Sequence, residues 1–118
     1  MKRGLIVDDA TVMRMRLRDI LQTKFEVVGE AENGQRALEL YDQLKPDFVT
    51  MDITMAEMNG MDALKNLVAR HPEAKVVMVS AMGQKTMVFE ALSQGARDFI
   101  IKPFDPDRVV MAINRLFE

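Results

Sequence analysis

Residues 5–14 read LIVDDATVMR: three apolar residues, Leu5, Ile6 and Val7, run directly into two adjacent aspartates, Asp8 and Asp9. An apolar, β-branched run of this kind belongs inside a sheet, where a charge is costly to bury. The acid pair therefore marks the point at which the chain leaves the core. Beyond it Met13, Leu17, Ile20 and Leu21 recur at helical spacing, with Thr11 placed to cap that helix.

The same alternation continues along the chain. FEVVGEAE (25–32) reads as a second strand, with Phe25, Val27 and Val28 facing inward. The Asn33-Gly34 pair has the chemistry of a hairpin turn, but Ala37, Leu40, Tyr41 and Leu44 then form a helical stripe, so Asn33 is expected to cap a helix. Lys45-Pro46 ends it, because proline disfavours helical geometry in the residue before it. PDFVTMD (46–52) is a third strand ending in an acid, followed by a helix carrying Met61, Leu64, Leu67 and Val68 up to His71-Pro72. AKVVMVSA (74–81) is a fourth strand, and QKTMVFEALSQ (84–94) a fourth helix closed by Gly95. RDFIIKP (97–103) is a fifth strand, and Val109, Ile113, Leu116 and Phe117 mark the last helix. Strand–helix units in succession, with strands too apolar to face water, imply an α/β fold: a doubly wound, five-stranded parallel sheet covered on both sides. At 118 residues the chain is expected to be one domain, 1–118.

In such a sheet ligands bind outside the carboxyl ends of the strands. The first strand delivers Asp8 and Asp9 to that rim, the third Asp52, the fourth Ser80 and the fifth Lys102. A lone acid after a strand is usually a helix cap, and Asp9 by itself would serve as one. Convergence of these acids with a single lysine is a different matter, since two carboxylates about 4 Å apart repel by roughly 4 kcal/mol at an effective dielectric of about 20. Either one carboxylate holds a proton or a divalent cation sits among them, and all-oxygen ligands suit Mg²⁺ or Mn²⁺.

Other chemistries find no support. There is no cysteine for a thiolate site. The one histidine, His71, lies beside a proline at a helix end and is expected at the surface. No GxxxxGK[ST] or GxGxxG motif is present. A net charge of −2 argues against a nucleic-acid surface. No window is long and apolar enough for a membrane span, and no signal-peptide stretch opens the chain, so a cytoplasmic protein is expected. The 11 methionines read as adaptable core filler.

The set VDD, MDITM…MNG, VSAMG and DFIIKPF, in that order and spacing, resembles the receiver domain of two-component response regulators over essentially the whole chain. SAMGQ and KPF look most like the stand-alone receivers of chemotaxis. The resemblance implies a flavodoxin-like (β/α)5 fold with strand order 2-1-3-4-5. It implies that Asp52 accepts a phosphoryl group from a chemotaxis histidine kinase, with Asp9 binding Mg²⁺ directly, Asp8 through water, and the Thr54 carbonyl as a further ligand. Lys102 would pair with a phosphoryl oxygen, its bond to Pro103 being typically cis. Ser80 would be the switch hydroxyl and Phe99 the aromatic that turns inward with it, while Thr54 and Met82 would flank the phosphoryl group's water access. Such a protein is not an enzyme beyond its own phosphoryl acceptance and loss. Its expected partners are the kinase, a flagellar motor switch protein and a phosphatase, with no nucleic acid or membrane, and it is expected to be a monomer. Two positions depart from the family pattern: Ala56, where proline is usual, should loosen the loop after Asp52, and Gly4, where an apolar residue is usual, should weaken the first strand.

The output surface is expected on the face of the fourth helix, fifth strand and fifth helix. If Phe89 and Leu92 lead the core side of the fourth helix, Met87 lies well off it with Val88 at the margin, and Lys85 and Phe99 add charge and apolar area. Alternatives are a phosphorelay receiver in sporulation or transcription control, a haloacid-dehalogenase-like phosphatase and a flavodoxin-like electron carrier. The phosphatase family usually has a second aspartate where Thr54 stands. The electron carrier needs a hydroxyl- and glycine-rich phosphate loop where this chain has carboxylates.

Overall fold

The computed structural model describes residues 1–55, 58–81 and 83–118. Strands β1 (Arg3–Val7), β2 (Glu26–Ala31), β3 (Phe48–Met51), β4 (Val76–Ser80) and β5 (Asp98–Ile101) alternate with helices α1 (Thr11–Leu21), α2 (Gly34–Leu44), α3 (Gly60–Arg70), α4 (Lys85–Ser93) and α5 (Pro106–Arg115). The strands form one parallel sheet in the order β2-β1-β3-β4-β5. This is the flavodoxin-like order that the resemblance implies.

Strand alternation sorts the core into two layers. Leu5, Val7, Val49, Met51, Val76, Met78 and Phe99 face α2, α3 and α4. Ile6, Phe48, Val77, Val79 and Ile100 face α1 and α5. Burial on both faces explains why these strands read as continuous apolar runs. Asn33 caps α2, its side-chain oxygen accepting the Arg36 N–H at 2.8 Å, and Asn59 caps α3 by accepting from Asp62 at 3.0 Å. Gly95, at φ +111°, follows α4 in the left-handed region that favours glycine.

One local expectation is corrected. Thr11 does not cap α1: the N-cap is Ala10, and no side chain caps that helix end. Instead the Asp8 carboxylate accepts the Ala10 N–H at 2.9 Å, which turns the chain into the helix one residue earlier than a Thr11 cap would. His71 lies at the surface as expected, partly covered by Asp42, which meets its Nε2 at 2.9 Å, and by the Tyr41 ring, tilted against it at 4.7 Å. The β1–β2 register shifts between Gly4 and Leu5, and Gly4 has a packing reason. The Phe48 ring occupies the space a side chain would fill, so that an added Cβ would lie 2.3–2.9 Å from three ring carbons. Ala56 lies outside the described residues.

Phe48 cannot easily yield, being wholly buried with Phe25 edge-on at 5.3 Å and Phe117 at 6.5 Å. Gly4→Ala should therefore destabilise the fold by about 1–3 kcal/mol, the usual cost of overpacking. Phe48→Leu introduced with it should recover part of that loss. Urea unfolding of the two single variants and the pair checks this; additive losses would show that residues 4 and 48 do not share the space.

Candidate metal and phosphoryl site

The register of the sheet assembles the polar rim. Val7 pairs with Met51, so the next residues, Asp8 and Asp52, leave the sheet side by side, and the Asp52 N–H continues the ladder to the Val7 carbonyl at 2.9 Å. Ser80 pairs with Ile101, and Lys102 follows at once, its N–H donating to the Ser80 carbonyl at 2.9 Å. Hydrophobic strands packed in fixed register thus carry Asp8, Asp52, Ser80 and Lys102 to one edge. Asp8, Asp52 and Ser80 are buried there, while Asp9 is exposed.

Asp8, Asp9 and Asp52 each present a carboxylate oxygen within 4.8 Å of the others. Lys102 reaches back past the ends of β4 and β3 to set its Nζ 2.9 Å from Asp8 Oδ2 and 3.6 Å from Asp52 Oδ1. The Lys102–Pro103 peptide is cis, as the resemblance implies. Asp52 Oδ1 also accepts the Ile53 N–H at 3.0 Å. Behind it the start of α3 is pressed against the Asp52 backbone: the Gly60 N–H donates to the Ile53 carbonyl at 2.6 Å, and a Cβ on Gly60 would fall 1.8 Å from the Asp52 carbonyl oxygen. Thr54 is exposed two residues beyond Asp52, and Met82 lies outside the described residues.

The charge balance of this edge is unfavourable. Burial raises the Asp52 pKa above the ordinary carboxylate value; Lys102 opposes the rise, Asp8 adds to it, the Ile53 N–H opposes it, and Asp9 adds to it. Three clustered carboxylates with one lysine therefore leave an excess of negative charge. The donors are all carboxylate oxygens, the set that hard divalent cations such as Mg²⁺ favour, so the residues present fit that ion.

Ser80 is buried at the end of β4, and Phe99 is turned inward, its ring in the layer beneath α4 with Met87, Val88 and Ala91. Helix α4, however, is rotated relative to the sequence expectation. Phe89 and Leu92 do not lead its core face; they are 71% and 43% exposed, whereas Met87 and Val88 are half-buried against the core. Ala91 is the buried anchor, and its small side chain lets the helix approach the sheet while the phenyl ring is left outside. Phe99 does not contribute to the exposed face either. That place on β5 is taken by Ile101, which is 50% exposed. The face that results keeps its apolar-plus-cationic character, with a cavity of about 340 Å³ lined by Gly83, Lys85, Val88, Phe89 and Leu92.

Sequence patterning gives no hint of one further pair. Arg14, in the first turn of α1, bonds through Nε to Glu30 of β2 at 3.2 Å and through Nη1 to the Asp8 backbone carbonyl at 2.6 Å. The two side chains stand 16 residues apart in different elements, so neither periodicity nor spacing links them.

The Asp52 environment predicts a pH-dependent stability. The folded-state pKa is raised, so the fold holds the Asp52 proton better than the unfolded chain does. Asp52 thus favours the fold below the ordinary carboxylate pKa, and that advantage is lost as pH rises through the folded value. Asp52→Asn should therefore raise the melting temperature in EDTA at pH 7, with the gain shrinking as pH falls toward the ordinary carboxylate range. Thermal melts of both proteins across pH 3–8 check the sign.

The response regulator receiver domain model matches residues 5–114. The chain is 59% identical over 116 residues to the chemotaxis protein CheY of Thermotoga maritima, covering 98% of this chain and 97% of that protein. It is 56% identical over 114 residues to CheY of Bacillus subtilis, covering 96% and 95% respectively. Among solved structures, a chain of the CheX–CheY–BeF3–Mg²⁺ complex from Borrelia burgdorferi superposes with a TM-score of 0.97 at 33% identity, covering 99% of this chain and 90% of that one. No helix among the described residues is long and apolar enough to cross a membrane. With its full-length similarity to chemotaxis proteins, the chain belongs to the response regulator receiver family, a family of signalling domains rather than of enzymes, and is a chemotaxis response regulator receiver.

Proposed function

We propose that this chain, acting as one receiver domain over residues 1–118, takes a phosphoryl group onto Asp52 from the phosphohistidine of a chemotaxis kinase and then binds a flagellar motor switch protein. The observation that carries the reading is the set of three carboxylates whose oxygens lie within 4.8 Å, with Lys102 as the cation at its edge. Asp8, Asp9 and Asp52, with the Thr54 carbonyl, would hold Mg²⁺, and Mn²⁺ would substitute for it. That ion, when bound, supplies positive charge to the crowded carboxylates and to the phosphoryl oxygens. The relative solved with BeF3 and Mg²⁺ supports the same assignment.

The chain's own residues do the rest. A carboxylate oxygen of Asp52 attacks phosphorus in line, the phosphorus–nitrogen bond breaks, and its electron pair stays on the departing imidazole. Lys102, already between Asp8 and Asp52, turns its ammonium to a phosphoryl oxygen as charge spreads over the group. The fixed backbone of Asp52, held by Val7 on one side and the start of α3 on the other, aims the nucleophile. The phosphoryl group then draws the Ser80 hydroxyl toward it, and the Phe99 ring, already buried beneath α4, settles into the space that Ser80 leaves. This movement biases the surface of Lys85, Phe89, Leu92 and Ile101 toward its partner, because a ligand shifts two states only through its differential interaction with them. The reading includes phosphoryl loss in place, hastened by a phosphatase, and a cytoplasmic monomer.

Incubation with acetyl phosphate and Mg²⁺, followed by intact mass, tests the first step. One phosphoryl increment is expected, absent in Asp52→Asn and sharply reduced in Asp9→Ala. Full labelling in excess EDTA would contradict the metal role.

The output step is tested by binding a motor-switch peptide to phosphorylated and unphosphorylated protein. Ser80→Ala should accept phosphate on Asp52 yet lose most of the phosphorylation-dependent gain in affinity. An unchanged gain would break the proposed coupling.

A further inference from the structure

Asp8 and Asp9 are held in place very unequally. Asp8 is fixed at every polar atom: its N–H donates to the Ala31 carbonyl at 3.0 Å, Oδ1 accepts from Ala10 at 2.9 Å, Oδ2 accepts from Lys102 at 2.9 Å, and its carbonyl accepts from Arg14 at 2.6 Å. Asp9 is exposed, and its position follows from the peptide that joins it to Asp8. The carbonyl of that peptide is the oxygen Arg14 grips. The Asp8–Asp9 peptide plane, and with it the direction in which the Asp9 side chain leaves the backbone, is therefore held at its carbonyl by this guanidinium, while the Ala10 N–H on Asp8 Oδ1 closes the same turn from the other side.

Arg14 is well placed to act as a rigid handle. Its side chain is only 17% exposed, Nε bonds to Glu30 Oε1 at 3.2 Å, Nη2 reaches the Thr11 hydroxyl at 3.3 Å, and Glu30 is braced from the other side by Arg18 Nε at 2.6 Å. The planar fork of an arginine can hold a carboxylate and a carbonyl at once, which a lysine ammonium on its flexible stem does not match. Glu30 also sets the charge. A bare cation near the three carboxylates would compete with a metal ion, and it is unfavourable near a helix N-terminus. Paired with Glu30, Arg14 contributes geometry while much of its charge is offset.

We infer that Arg14, oriented by Glu30, is a positioning residue for metal binding: it fixes the Asp8–Asp9 peptide so that Asp9 points at Asp8 and Asp52. The inference rests on the proposed metal role of these aspartates. Partners that orient metal ligands are commonly worth about 10–100-fold in metal affinity. A purely electrostatic effect has the opposite sign, since deleting a positive charge near a cation site should tighten binding.

The test is Mg²⁺ titration of the full chain by calorimetry and amide NMR, for wild type, Arg14→Ala, Arg14→Lys, Glu30→Gln, Asp9→Ala and the Asp9→Ala/Arg14→Ala pair. Arg14→Ala should weaken Mg²⁺ binding at least about tenfold. Arg14→Lys, which keeps the charge but not the fork, should weaken it nearly as much, and Glu30→Gln less in the same direction. In the Asp9→Ala background, Arg14→Ala should add almost nothing, because its effect passes through Asp9; a general loss of structure would instead add in full. Tighter or unchanged binding in Arg14→Ala, wild-type affinity in Arg14→Lys, or additivity with Asp9→Ala would each overturn the inference while leaving the metal site standing. A wild-type protein that binds no Mg²⁺ would overturn the metal reading and the inference with it.

Discussion

The repulsion among Asp8, Asp9 and Asp52 is the constraint around which the carboxyl edge of this sheet is organised. Left to themselves, three carboxylates this close would spread apart or take up protons. Two of them are kept together because they are attached to something stiffer than the mutual repulsion. Asp8 and Asp52 ride on the ends of β1 and β3, whose apolar residues are buried on both faces of the sheet. Lys102 lies against two of them and offsets part of the charge. The hydrophobic core thus holds the site in an electrostatically uncomfortable state, and that is what makes an added cation or a changed charge on Asp52 consequential.

Much of this was legible in the sequence because it depends on position along a strand. Continuous apolar runs identify strands buried on both sides, and the residue that ends each run must emerge at the same edge of a parallel sheet. Asp8, Asp9, Asp52, Ser80 and Lys102 could be placed there without knowing a single contact. Strand order was another matter. Alternation restricts the topology, but the 2-1-3-4-5 arrangement came from likeness to a family, since nothing in the spacing of apolar residues says which strand lies beside which.

What stayed hidden depends on contacts between distant parts of the chain. Helix α4 has several large apolar residues in nine, and ranking them by hydrophobicity puts Phe89 inside. The structure puts Ala91 there, because the distance between helix and sheet, not the size of the side chain, decides which stripe is buried. The left-out phenyl ring leaves a surface that a well-sealed monomer would avoid. The packing reason for Gly4 was hidden in the same way, because the ring that fills its place comes from a distant strand. Arg14 and Glu30 carry no pattern at all, as their pairing exists only once β2 lies beside β1.

The fit between Gly4 and Phe48 has a consequence for how such a chain can change over generations. The ring borrows volume from a position 44 residues earlier, so neither residue is free to vary alone. A lineage that enlarges residue 4 first passes through an overcrowded core, whereas one that first trims residue 48 passes through a cavity beside Phe25 and Phe117. Overcrowding and a buried void each cost on the order of a few kcal/mol in a close-packed interior. Neither route is cheap, so a change at one of these two positions alters which residues the other can tolerate.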